Sequence, residues 1–240
     1  MQSKICFTIL ILFALKGAYC QDDLSYSSAP GYSPFQVITL KYNGKTYSDY
    51  VKDEITGSPF LFDDWRSGVI TLTDGKSYAN ILLKYDVLNN KFLFNHKDST
   101  YEFLDVLQQV TIVDTGTSFN NDFLIFEKIN SKIDKIKAGS FVQILCNGNI
   151  KLYKHHSKKI EGQNFNNGIN TSIKRIVDHY SFWATVKNES FPIKINKNSL
   201  EEITWDKKEE LKSYIIKNHL KLNKEKDFTI AIKYYNNLIK

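Results

Sequence analysis

Four consecutive residues, Asp63-Asp64-Trp65-Arg66, form the densest polar and aromatic cluster in the chain. Trp65 could offer a stacking platform to a sugar or peptide, and the carboxylates beside it could accept hydrogen bonds from that ligand. The same residue types also build a turn. Ser58-Pro59 and Asp63-Asp64 are turn formers, and Phe60, Phe62 and Trp65 can pack beneath whatever strands follow. The turn is the favoured reading, which leaves Asp63, Asp64, Trp65 and Arg66 as the ligand-binding candidates. Asp178-His179 suggests general acid–base work, but sequence neighbours need not touch, and no Gly-x-Ser-x-Gly elbow nominates a nucleophile. His155 and His156 stand among Lys154, Lys158 and Lys159. Placed at a strand end, they point to opposite faces, and the lysines oppose a cation, so an exposed polar strand end is expected. The spacings of zinc sites are absent, and neither a metal nor a cofactor is expected.

The elements that must position these residues are strands. In 57–94, Asp74-Gly75 separates apolar runs at 69–73 and 76–85 as the pair a two-residue hairpin loop favours, and Asn89-Asn90 repeats the device. With Asp74-Gly75 as the loop, Ile70 faces Ala79 and Leu72 faces Ser77, and Ile81, Leu83 and Tyr85 continue that face. With Asn89-Asn90 as the next loop, Val87 faces Phe92 and Tyr85 faces Phe94. The result is a β-meander with one apolar face. Further strands are expected at 35–42, with an Asn43-Gly44 hairpin, and at 100–103, 110–113, 123–127, 141–147, 150–155, 180–187 and 191–195. In the 141–147 strand Cys146 alternates with Val142 and Ile144 and reads as a buried small hydrophobe rather than a reactive thiol. Residues 158–175 are polar and Asn- and Gly-rich and read as a long exposed loop.

From Ser199 the period changes. Asp206 with Glu209 matches a helix N-cap and its box partner, followed by Leu211, Tyr214, Ile215 and Asn218 on one face. Asn223 can cap a second helix whose stripe is Phe228, Ala231, Ile232, Tyr235, Leu238 and Ile239. The expected fold class is mainly β with α (α+β): an antiparallel meander sheet or sandwich over 35–198, then an antiparallel helical pair over 199–240 that packs on it.

The first twenty residues read as a signal peptide: Lys4, an apolar run over 5–15, and small Ala18 and Cys20 before polar Gln21. The run is shorter than the roughly 20 residues of a membrane span, so no transmembrane segment is expected. Lipid anchoring at Cys20 is the competing reading, and Tyr19 argues against it because that pattern wants a small residue before the cysteine. Residues 21–34 form a flexible lead-in. The chain carries a net +6, and loss of Lys4 and Lys16 with the leader lowers this to +4. Arg66 and Arg175 are the only arginines, so the basic character is dispersed lysine and nucleic acid is not an expected partner.

The run Gly57-Ser58-Pro59-Phe60-Leu61-Phe62-Asp63-Asp64-Trp65, the strand-turn-strand of 68–85, and the tail motifs Lys217-Asn218-His219-Leu220-Lys221-Leu222 and Tyr234-Tyr235-Asn236-Asn237-Leu238 carry a resemblance. The chain is similar to a family of exported β-rich proteins of Gram-negative bacteria, common in Bacteroidota. The likeness spans most of the chain beyond the leader and is weakest over 114–175. That family has no assigned activity, so the resemblance implies a periplasmic or extracellular location and an architecture but no catalytic residues. The functional expectation is a non-enzymatic binding or structural protein whose partner is an envelope component, protein or polysaccharide. The alternative is a cofactor-free hydrolase of envelope polymers or peptides built on Asp63, Asp64, Asp178 or His179.

Overall fold

The meander is present, and its first turn shows how local chemistry sets register. The computed structural model describes residues 35–37, 41–42, 45–46, 55–96, 99–103, 106–114, 122–130, 133, 135–166 and 170–239; the leader and lead-in lie outside them. β5 (Arg66–Leu72) and β6 (Ser77–Asp86) pair antiparallel, with Ile70 opposite Tyr78 and Thr71 opposite Ser77. The loop is therefore Thr73-Asp74-Gly75, one residue longer than expected. The Leu72 carbonyl accepts the Gly75 N–H at 3.0 Å, and the Leu72 N–H donates to the Lys76 carbonyl at 2.9 Å. Gly75 takes φ +85°, which is a type I turn followed by a left-handed residue. The slip is undone five residues on. A bulge adds one residue to β6 at Ala79-Asn80, with Asn80 at φ +59°, so that Gly68 meets Ile81 and Arg66 meets Leu83. Ile81, Leu83 and Tyr85 thereby share the face of Ile70 and Leu72.

At the second turn the loop is Val87-Leu88-Asn89-Asn90 between β6 and β7 (Lys91–His96), and Tyr85 faces Phe92 while Leu83 faces Phe94. The Asp86 carboxylate organises the longer loop by accepting the Asn89 N–H at 3.0 Å and the Asn89 side-chain amide at 2.7 Å. A shift of two residues changes partners but not faces, so the expected apolar face survives.

Other strands follow in chain order: β1 (Phe35–Val37), β2 (Lys41–Tyr42), β3 (Lys45–Thr46), β4 (Ile55–Thr56), β8 (Ser99–Phe103), β9 (Leu107–Asp114), β10 (Asp122–Lys128), β11 (Phe141–Cys146), β12 (Ile150–Asn166), β13 (Asn170–Val186) and β14 (Glu189–Ile193). β2 and β3 pair antiparallel, with Tyr42 opposite Lys45, while the expected turn residues Asn43 and Gly44 lie outside the described residues. The rest join one sheet in the order β1-β8-β7-β6-β5-β9-β10-β11-β12-β13-β14, with β4 added parallel to β13.

This sheet curls on itself. β7 and β11 are five strands apart, about 24 Å on a flat sheet, yet the rings of Phe92 and Phe141 lie 4.8 Å apart and those of Phe92 and Phe126 5.5 Å. Asn90 closes the gap, its amide oxygen accepting the Phe141 N–H and its amide nitrogen donating to the Gly139 carbonyl, both at 3.0 Å. Inside the curl Leu83, Tyr85, Phe92, Phe94, Val110, Ile112 and Phe126 are buried. Each such side chain contributes roughly 1.5–3 kcal/mol by leaving water, which is why the curved form wins over a flat sheet with one wet apolar face.

The inner face continues onto β11–β14 and meets the helices there. α1 (Lys197–Ile203) is capped by Asn196, whose Oδ1 accepts the Ser199 N–H at 2.9 Å. α2 (Lys208–Lys217) and α3 (Glu225–Leu238) are the expected antiparallel pair. Phe228, Ala231, Ile232 and Tyr235 of α3 are buried against Ile150, Leu152 and Ala184. The expected caps are not used. Lys207 takes a left-handed conformation before α2, and Asp206 instead accepts the Tyr235 phenol, tying the entry of α2 to α3. Lys224, not Asn223, precedes α3.

On the outer face, the connection after β10 folds Ile129, Ile133 and Ile136 over Val142, Ile144, Tyr153 and Trp183. Cys146 departs from the expected alternation. A bulge at Leu145 sets Ile144 opposite Tyr153 but Cys146 opposite Leu152, so Cys146 crosses to the inner face, where it is buried. The largest departure is 158–175: most of this stretch is strand, the outer half of the β12–β13 hairpin, paired residue for residue from Ile150↔Val186 to Asn166↔Asn170.

Candidate functional site

Residues 59–65 cross the end of β6 before entering β5: the Leu61 N–H donates to the Tyr85 carbonyl at 2.9 Å, and Phe60 bridges Asp86. This brings the predicted cluster against a residue that sequence inspection passed over, Lys84. Its ammonium lies 4.7 Å from the Phe60 ring centre and 5.0 Å from that of Trp65, and it donates to the Asp63 carbonyl. Burial lowers the Lys84 pKa, and the charges of Asp63 and Asp64 oppose that shift. Arg66 is held separately: Nε is 2.8 Å from the Asp64 carboxylate, a guanidinium nitrogen is 4.0 Å from Asp114, and the guanidinium stacks 4.6 Å over Phe62. Asp63, Asp64, Trp65 and Arg66 are thus neighbours; the Asp63 backbone carbonyl takes Lys84 and the Asp64 carboxylate takes Arg66. Trp65 is half-buried and the carboxylates are exposed. The arrangement fastens the entry to the curled sheet.

Asp178 and His179 are not brought together. They occupy opposite faces of β13, where Asp178 pairs with Lys158 at 2.9 Å and His179 Nε2 lies 3.0 Å from Glu161. His155 and His156 do point to opposite faces, but in mid-strand and half-buried rather than at an exposed end. His156 Nε2 lies 2.7 Å from the Gln143 amide oxygen. Burial first, with the positive charges of Lys154, His155 and Lys158 adding to it and Asp178 opposing, brings the His156 pKa down to about 4. At neutral pH the ring is uncharged and Nε2 carries the proton it donates to Gln143.

Around His156 the inner face of β12 and β13 gathers groups from three regions. Lys154 pairs with Glu225 at the start of α3 at 2.7 Å and lies 4.9 Å under the Tyr180 ring and 5.7 Å from Phe182. Lys158 also donates to the Ser58 carbonyl at 2.9 Å. Tyr180 is exposed, and its ring meets Phe182 edge-on at 5.5 Å. Reading 158–175 as a loop hid this cluster, because Lys154, His156, Lys158, Asp178, Tyr180 and Phe182 share a face only if both strands run on.

A recess of about 560 Å³ lies at the other end of β12, lined by Cys146, Asn149, Lys233, Asn236 and Asn237 among others. Its floor is structural: Asn236 bonds both backbone groups of Ile150, and burial raises the Cys146 pKa. Among the described residues no three His, Cys, Asp or Glu side chains gather as a metal site, and no helix is long and apolar enough to cross a membrane. No protein-family model matches the chain, and no curated protein or solved structure shows significant similarity to it.

Proposed function

We propose that the chain is an exported cell-envelope protein that acts by binding an envelope component, protein or polysaccharide, rather than by catalysis. The observation that carries this reading is an open apolar row on the outer face. Leu82 is 45% exposed, Val69 37% and Phe123 64%. Register places them together: Leu82 faces Ser67 on β5, Val69 is two residues along, and Phe123 faces Val113 on the adjoining β9–β10 pair. The Ile129–Ile136 cover lies over β11–β13 and leaves this row in water. Large apolar side chains left exposed together on one face, here around Ser67, mark interaction faces. The resemblance to exported proteins supports the compartment. The hydrolase alternative gains no support, because Asp178 and His179 diverge and Asp63 and Asp64 belong to the entry cluster.

The test is affinity capture from envelope extract with the wild-type protein and with Leu82→Glu/Phe123→Glu. Both side chains are exposed, so the variant should keep its circular dichroism spectrum. A component retained by the wild type and lost on the variant is the expected result; identical captured sets would refute the role of this face.

A further inference from the structure

The inner face of β13 carries a second surface, on the opposite side of the sheet from the Leu82–Phe123 row. Asp178, Tyr180 and Phe182 alternate along the strand and so share one side. Tyr180 is 64% exposed, and the Asp178 side chain is 77% exposed despite its bond to Lys158. An aromatic ring this open usually swings freely, but here it is held: Lys154 sits against it at 4.9 Å, Phe182 abuts it, and Lys154 is itself fixed by Glu225. A ring fixed on one side and open to solvent on the other is a preorganised stacking platform, with little entropy left to lose on binding.

The charges around it select the ligand. Lys154 pairs with Glu225 and Lys158 with Asp178, so the two cations and two carboxylates cancel in place. His156, directly across from Tyr180, is neutral at physiological pH. Both lysines are largely buried and already paired, so the surface offers no free cation to an anion. It does offer carboxylate oxygens with spare lone pairs on either side of an apolar ring. A pyranose matches this pattern, with one face of C–H groups for the ring and equatorial hydroxyls to donate at its edge.

We propose that the Asp178–Tyr180–Phe182 face binds a neutral glycan, with one sugar ring stacked on Tyr180 and its hydroxyls donating to the Asp178 and Glu225 carboxylates. The probes are chitotetraose and cellotetraose, with tetragalacturonate as the anionic control and a proline-rich decapeptide as the competing aromatic-binding ligand. Each is titrated at millimolar concentration into ¹⁵N-labelled full-length protein. The expected result is saturable binding of at least one neutral tetrasaccharide, with amide shifts centred on β13 residues 178–182. Tyr180→Ala should weaken it about tenfold or more, while Tyr180→Phe, which keeps the ring, should leave it within about twofold. Leu82→Glu/Phe123→Glu should not change it, which separates failure here from failure of the outer face. The proposal is overturned by any of three results: no saturable binding of either neutral sugar, tighter binding of the anion or the peptide, or wild-type affinity in Tyr180→Ala.

Discussion

Replacement of Asn236 by leucine should be among the most damaging single changes outside the curled core. Asn236 is 4% exposed and sits where α3 crosses the β11–β12 turn. Its Oδ1 accepts the Ile150 N–H at 2.8 Å, and its Nδ2 donates to the Ile150 carbonyl at 2.8 Å and to Cys146 Sγ at 3.3 Å. The side chain stands in for a strand residue beside the start of β12, on the side where the bulged end of β11 has turned away. Leucine has similar volume but satisfies none of these groups. A buried backbone group left without its partner costs about 1–3 kcal/mol. Two such groups on a fully buried Ile150, partly offset by extra apolar burial, give about 2–4 kcal/mol, a large share of the 5–15 kcal/mol typical of a folded domain. Gly148 supplies an internal check. A Cβ there would lie 2.6 Å from Asn236 Nδ2 and 2.7 Å from its Cγ, on a backbone at φ +156°. Gly148→Ala should therefore cost over 1 kcal/mol more in the wild type than in an Asn236→Ala background, since shortening residue 236 removes the two closest atoms and leaves only its Cβ, at 3.1 Å. Equilibrium urea unfolding of the wild type, Asn236→Leu, Gly148→Ala, Asn236→Ala and the Gly148→Ala/Asn236→Ala double variant measures both quantities. A loss below about 0.5 kcal/mol for Asn236→Leu, or equal Gly148→Ala costs in the two backgrounds, refutes the staple.

The neutral, buried His156 makes stability pH-dependent. Its folded pKa of about 4 lies below the unfolded value of 6.5, so its contribution is complete above pH 6.5 and is lost as pH falls toward 4, by up to about 3 kcal/mol; burial of His155 acts in the same sense. Thermal melts from pH 7.5 to 4 should show the decline, and it should shrink in His156→Gln. At the β6 bulge, Asn80→Gly should be neutral or stabilising and Asn80→Val should cost about 1–2 kcal/mol in urea unfolding, because φ +59° is strained for a β-branched residue. Thr229 Oγ1 is buried with no partner among the described residues, so Thr229→Val should raise the melting temperature. Phe126→Ala should cost about 3–5 kcal/mol, since its ring touches Tyr85 and Phe92 across the curl.

The meander was legible because its faces differ. Period two with one apolar side fixes which residues are buried even where the loop is misjudged: the Asp74-Gly75 register was off by one and the Ala79-Asn80 bulge restored it, while the second turn was off by two, which preserves faces. The α3 stripe was legible for the same reason. Caps were less so, because Asp206 and Asn223 satisfy a local pattern while the actual entries are set by distant partners such as Tyr235. Lys84 was within reach of sequence reasoning: extending the Gly68↔Ile81 register puts it beside Trp65, where its ammonium lies over the Phe60 and Trp65 rings.

The outer half of the β12–β13 hairpin was beyond that reasoning, and the cause is physical. A strand is recognised from sequence when one face is dry. Residues 158–166 and 170–176 are held by their own ladder and by β4, and their sequence is polar and Asn- and Gly-rich, so neither hydrophobic period nor a strong turn pair near 158 distinguishes them from a loop. The β12–β13 ladder sets Asp178 and Tyr180 two residues apart on one face, whereas in the Asp63–Arg66 cluster, recognisable by its composition, the Asp63 carbonyl takes Lys84, the Asp64 carboxylate takes Arg66 and the Arg66 guanidinium lies over Phe62. In this chain the conspicuous motif fastens the entry to β5, and the proposed Asp178–Tyr180 face is built from residues that the β12–β13 pairing brings into line.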